Sequence, residues 1–150
     1  MTTADLLDTS VLLHLTRDSR QAGIIDQQFH LSTAPFRPLI CEVSLGEMRA
    51  FAKSLQWGPA RLQRLAEVEH QVVTVDISDD RVLDAYADLS TLAKTSGWSL
   101  FHGKNDLWVG AASRATNSHL LTMDADFLPL RGRPGWLVTV LDPKSALPLP

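Results

Sequence analysis

The chain has 150 residues, 45% of them hydrophobic and 21% charged, enough apolar material for one compact domain with a sizeable core. That charge content excludes a disordered tail or a long coiled coil. The net charge of −3 argues against a strongly electropositive nucleic-acid surface, although metal-binding carboxylates would lower the same count while their cations reverse the local field.

In chain order, the apolar burst Asp5-Leu6-Leu7 predicts a short strand ending near Asp8. A helix should follow, capped by Thr9 or Ser10 and carrying Val11, Leu12, Leu13 and Leu15. A second helix is expected over Ser19–Phe29, and Pro38–Cys41 reads as a buried strand. From Ser44 the apolar residues Leu45, Met48, Phe51, Ala52 and Leu55 take helical spacing, with Ser44 and Glu47 placed as a capping box. Gly58-Pro59 breaks that helix and opens another, Ala60–His70. The β-branched run Val72–Ile77 predicts a strand, and Ser78-Asp79-Asp80 caps a long helix that Gly97 ends. Asn105-Asp106 opens an almost wholly apolar helix, predicted to be central. Leu120–Met123 and Trp136–Leu141 are the last strands, and residues 145–150 are expected to fray.

Strands alternating with helices predict a three-layer α/β/α sandwich around a central, mostly parallel sheet, with residues 1–150 forming a single domain. In such sheets ligands bind beyond the carboxyl ends of the strands. Asp8 and Asp124 end predicted strands, while Asp106 and Glu47 fall in first turns of helices. Four carboxylates at one edge repel one another unless a hard cation sits among them, which selects Mg²⁺ or Mn²⁺. Such ions neutralise phosphate and activate water, most effectively as a pair roughly 3.5 to 4 Å apart. Each acid also has a structural explanation: Asp8 as an N-cap, Asp106 as a first-turn charge, Glu47 as half of a capping box, Asp124 as a turn residue.

The segments Leu6-Leu7-Asp8-Thr9-Ser10-Val11-Leu12, Cys41-Glu42-Val43-Ser44-Leu45-Gly46-Glu47-Met48, Asn105-Asp106-Leu107-Trp108-Val109-Gly110-Ala111-Ala112 and Leu121-Thr122-Met123-Asp124-Ala125-Asp126-Phe127 resemble, in order, the four motifs of the PIN-domain family. The resemblance is to VapC-type toxin ribonucleases of type II toxin–antitoxin systems. It implies an Mg²⁺- or Mn²⁺-dependent endoribonuclease that inhibits translation by cleaving a structured or single-stranded RNA. A cognate antitoxin and a homodimer are implied as well. By the same analogy Asp8, Glu47, Asp106 and Asp124 are catalytic and bind metal, Asp126 contacts the metal site, and Thr9, Ser10 and Thr122 orient carboxylates or water. Glu42 competes with Glu47, and Asp126 with Asp124; motif position favours Glu47 and strand position favours Asp124.

Lys104 and Arg17 are candidate RNA contacts, among several basic residues following the acidic motifs. Trp57 and Trp98, beside glycines, are expected to be more exposed than Trp108 and could stack bases. The basic turn Arg131–Gly135 has no role in these motifs. Cys41, the single cysteine, is expected to be a buried, inert thiol. No apolar run reaches the roughly 18 to 20 residues that span a bilayer, and Met1–Asp5 carries no signal-peptide pattern, so a cytoplasmic protein is expected. A PIN fold without catalysis, serving as a binding module, and a housekeeping nuclease are the alternatives. A haloacid-dehalogenase-type phosphatase would want an acid where Ser10 stands.

Overall fold

The computed structural model describes residues 3–99, 102 and 104–150, with Lys104 described in its backbone only. Its elements run β1 (Asp5–Leu7), α1 (Thr9–Arg17), α2 (Arg20–Phe29), β2 (Leu39–Cys41), α3 (Glu42–Ser54), α4 (Pro59–Gln71) and β3 (Val73–Val75). Then follow α5 (Asp80–Ser96), α6 (Lys104–Ala115), β4 (His119–Thr122), a 3₁₀ helix (Ala125–Leu130) and β5 (Leu137–Val140). The five strands lie in the order β3-β2-β1-β4-β5, and every neighbouring pair is parallel. The predicted mostly parallel sheet is thus wholly parallel.

Strand alternation sorts the core into two layers. Leu6, Leu120 and Val138 are in register and pack on one face with Leu89 and Ala93 of α5 and Leu107, Val109 and Ala112 of α6. The neighbouring Leu7 and Leu121, with Ile40 in register beside Leu7, turn to the other face, against Val11 and Leu12 of α1, Ile25 of α2, Met48 of α3 and Leu65 and Val68 of α4. Residues buried on both faces explain why these strands read as continuous apolar runs. Each fully buried leucine contributes roughly 1.5 to 3 kcal/mol.

Helix α6 comes very close to α5. A Cβ on Gly110 would stand 2.7 Å from Leu89 Cδ2, and the Gly110 carbonyl accepts a hydrogen bond from the buried Trp136 indole at 2.9 Å. Gly97, at φ +66°, ends α5 in the left-handed region as predicted.

Toward the starting ends of β1 and β4, His119 joins two strands. Its Nδ1 lies 3.1 Å from Asp5 Oδ1 and its Nε2 2.7 Å from Thr139 Oγ1, while Phe29 meets its ring edge-on. No helix among the described residues is long and apolar enough to cross a membrane.

Several local expectations are corrected. Asp8, not Thr9 or Ser10, caps α1, its side chain accepting from the Thr9 amide. Helix α3 starts at Glu42 behind Cys41, without a side-chain cap, so Ser44 and Glu47 form no capping box. Strand β3 is shorter than Val72–Ile77, because Ile77 already belongs to the connection to α5. Trp57 is buried at 7% exposure, closing the α3–α4 turn with its amide on the Ala52 carbonyl. Residues 145–150 do not fray: Ala146 is fully buried, Gln28 donates to its carbonyl, and Leu141 bridges Pro148.

Candidate metal centre

The acidic residues gather beyond the carboxyl ends of β1 and β4. Asp8 follows β1 directly, and its amide donates to the Leu121 carbonyl at 3.0 Å, extending the sheet by one rung. Its carboxylate is almost completely buried and takes three donors. Oδ1 accepts from the Thr9 amide at 2.8 Å, and Oδ2 from Ser10 Oγ at 3.0 Å and Thr122 Oγ1 at 2.7 Å. Burial pushes this acid above its ordinary range. The Thr122 and Ser10 hydroxyls and the Thr9 amide pull it back, and nearby Glu47 adds to the upward push.

The two hydroxyls on Asp8 also organise the chain leaving β4. Thr122 Oγ1 accepts from the Asp124 amide at 2.9 Å and Ser10 Oγ from the Met123 amide at 3.0 Å. Asp124 in turn caps the 3₁₀ helix, its Oδ1 accepting from the Asp126 amide at 2.9 Å. Thr9 Oγ1 donates to Glu47 Oε1 at 2.8 Å and lies 3.0 Å from Ser44 Oγ. Thr9, Ser10 and Thr122 therefore each touch a carboxylate or its backbone support.

Asp106 enters from the first turn of α6. It, Asp124 and Asp126 each offer a carboxylate oxygen, and these oxygens lie within 4.8 Å of one another. All three side chains are partly buried. Desolvation raises the Asp106 carboxyl to about 7, helped in turn by the charges of Asp8, Asp124, Glu47 and Asp126. Five carboxylates thus share one field.

The structure places the two pairs of competing acids differently. Glu42 points to the other side, its Oε2 accepting from the Ile77 amide at 3.1 Å, and it is absent from the charges acting on Asp106. Asp124 and Asp126 do not exclude one another, since the 3₁₀ helix brings both into the tight trio. Ser99 is a neighbour that sequence reasoning missed: its hydroxyl donates to Asp126 Oδ1 at 2.8 Å. No periodicity or motif marks it.

Of the candidate RNA contacts, Arg17 sits exposed at the far end of α1, about 13 Å along the helix axis from Asp8, and is not brought to the acids. The Lys104 side chain lies outside the described residues. Trp108 is half-buried and stacks on Tyr86 with ring centroids 3.9 Å apart.

A family profile described as PIN domain matches residues 6–131. Among solved structures, VapBC2 from Rickettsia felis bound to a DNA fragment from their promoter aligns with a TM-score of 0.74. The identity is 16%, over 90% of this chain and 96% of that one. VapBC-1 from nontypeable Haemophilus influenzae aligns at 0.70 with 17% identity, over 91% and 97%. VapBC-5 from Mycobacterium tuberculosis, a member of the VapBC family of toxin–antitoxin systems, aligns at 0.67 with 24% identity, over 93% and 100%. At these identities the likeness is one of fold. No curated protein matches the chain.

Proposed function

This chain belongs to the PIN-domain family, and from that premise we propose that it is a divalent-metal-dependent endoribonuclease, the toxin of a VapBC-type pair that inhibits translation by cutting a structured or single-stranded RNA. The observation that carries this reading is the trio Asp106, Asp124 and Asp126, with oxygens within 4.8 Å of one another. Hard oxygen donors of this kind suit Mg²⁺ or Mn²⁺. Burial lifts Asp106 to about 7, and the repulsion from neighbouring acids that adds to it is what such a cation relieves, so the residues present fit the ion.

Asp106, Asp124 and Asp126 would hold it, with Asp8 and Glu47 completing the acidic wall. When bound, the metal supplies positive charge for the scissile phosphate and lowers the pKa of a coordinated water. The chain's own residues do the positioning. The Thr9 amide and the Ser10 and Thr122 hydroxyls fix the Asp8 carboxylate in one orientation. Thr9 holds Glu47, and Ser99 holds Asp126. Supporting hydrogen bonds of this kind typically change metal affinity or activity by roughly 10- to 100-fold when removed.

The toxin role and a cognate antitoxin partner draw support from the toxin–antitoxin complexes that share the fold, and a second copy of the chain is proposed from the family resemblance alone. A cytoplasmic setting goes with a block on translation. The test is cleavage of cellular RNA by purified protein with Mg²⁺ or Mn²⁺, using Asp8→Asn and Asp106→Asn as controls, followed by induction in growing cells. Cleavage by wild type alone and arrested growth are expected. No cleavage with either metal overturns the nuclease; cleavage without growth arrest replaces the toxin with a housekeeping enzyme.

A further inference from the structure

An acid-lined site meets RNA with the wrong sign of charge, so a cation at its rim has an obvious use. Several arginines are already engaged. Arg49 pairs with Glu69, Arg114 pairs with Asp88 while lying over Trp136, and Arg131 donates to the Leu149 and Pro150 carbonyls. Arg133 differs. It is exposed, and among the described residues it pairs with no carboxylate. Its guanidinium carbon instead lies 5.1 Å from the centroid of the half-buried Trp98 ring.

Two routes tie this pair to the acids. Trp98 immediately precedes Ser99, whose hydroxyl holds Asp126 Oδ1. The Arg133 amide donates to the Leu130 carbonyl at 3.1 Å, so its turn comes directly off the 3₁₀ helix that carries Asp124 and Asp126. These links keep the guanidinium within on the order of 15 Å of Asp126. A guanidinium resting on an aromatic ring is ordered along its stem yet presents its donors to solvent, and exposed cations of this kind track the backbone of single-stranded nucleic acid without sequence readout.

We infer that Arg133, stacked on Trp98, is a phosphate contact for the single-stranded part of the RNA as it leaves the acidic site. This rests on the nuclease reading for its substrate. Trp98 is the positioning residue: it holds the guanidinium and links it through Ser99 to Asp126.

The test measures binding of a short fluorescein-labelled oligouridylate by anisotropy across a salt series, with Ca²⁺ replacing Mg²⁺ so that binding is read without cleavage. One lost phosphate contact lowers the salt slope by about 0.7 and affinity at 0.1 M salt by about fivefold. Arg133→Gln is expected to show both, with unchanged melting temperature and Mn²⁺ affinity. Arg133→Lys should keep the slope, because the charge remains, and Trp98→Phe should retain most of the affinity while losing any quench of indole emission on binding. In cleavage assays Arg133→Gln should raise KM and leave kcat nearly unchanged.

Identical affinity and slope for wild type and Arg133→Gln overturn the inference. So does a loss confined to an acidic peptide such as oligoglutamate, which would assign the contact to a protein partner. Wild type that cuts nothing while Arg133→Gln still binds RNA fivefold more weakly would sink the nuclease and leave this contact standing.

Discussion

Two polar clusters occupy the same sheet, and they are built on opposite principles. The Asp5–His119–Thr139 group joins β1, β4 and β5 with complementary partners, both ring nitrogens of His119 having a neighbour within 3.1 Å. Beyond the other ends of β1 and β4, five carboxylates share one region, and burial together with the charges of its neighbours lifts Asp106 to about 7. The first cluster is internally paired. The second carries clustered negative charge of the kind a bound cation would offset, which is the basis of the proposed function.

The sharpest way to break the contrast is Asp106→Asn. RNA cleavage should fall by roughly 100-fold or more, since a metal donor is lost, while the metal-free protein should melt higher because a repelled charge has gone. Mn²⁺ should then raise the melting temperature far less than in wild type. A variant that stays active, or melts lower without metal, would show that the acids do not act as one frustrated group.

Thr122→Val should come next. It removes a donor from Asp8 and leaves the Asp124 amide without its acceptor, costing roughly 1 to 3 kcal/mol of stability and roughly 10-fold in metal affinity. Urea unfolding and Mn²⁺ titration read the two effects separately. Unchanged metal affinity would mean that the hydroxyl serves only the backbone.

His119→Ala should show the converse pattern. With Asp5 and Thr139 left unpaired and the Phe29 contact gone, unfolding should cost about 1 to 3 kcal/mol, with cleavage per folded molecule unaltered. A drop in kcat would couple the two clusters and erase the distinction between them.

A further effect is with pH. The folded Asp106 carboxyl sits at about 7 against an ordinary 3.8, so the metal-free native state holds a proton that the unfolded chain has released. The associated stability is complete below about pH 4 and is lost as the pH rises through about 7. Wild type treated with chelator should therefore lose stability relative to Asp106→Asn across that window, by melting temperature. Parallel curves would remove Asp106 from the repulsive group.

Much of this contrast was legible in the sequence. The buried strands announced themselves as apolar runs, and Asp8, Asp106 and Asp124 stood where a parallel sheet presents its ligands. What escaped was whatever depended on distant partners. Ser44 and Glu47 carry the spacing of a capping box, yet α3 begins two residues before Ser44 and both side chains meet Thr9 instead. Asp126 and Asp124 read as competitors because strand logic counts residues along a line, whereas a 3₁₀ turn folds both toward Asp106. Trp57 looked exposed beside Gly58, but the α3–α4 turn tucks the ring under the helices. Local sequence reports local geometry; which side chains then meet is decided by packing.

The hydroxyl of Thr122 on the carboxylate of Asp8 spans 114 residues of chain. Strand β1 is made first during synthesis, yet its partner β4 follows only after six helices and two strands have emerged. Contacts of such separation form late and slowly. A nascent chain stalled anywhere before residue 119 lacks both Asp124 and Asp126, and so has no assembled acid group. On the proposed nuclease reading, an unfinished polypeptide therefore has no complete acid group with which to cut the RNA around it.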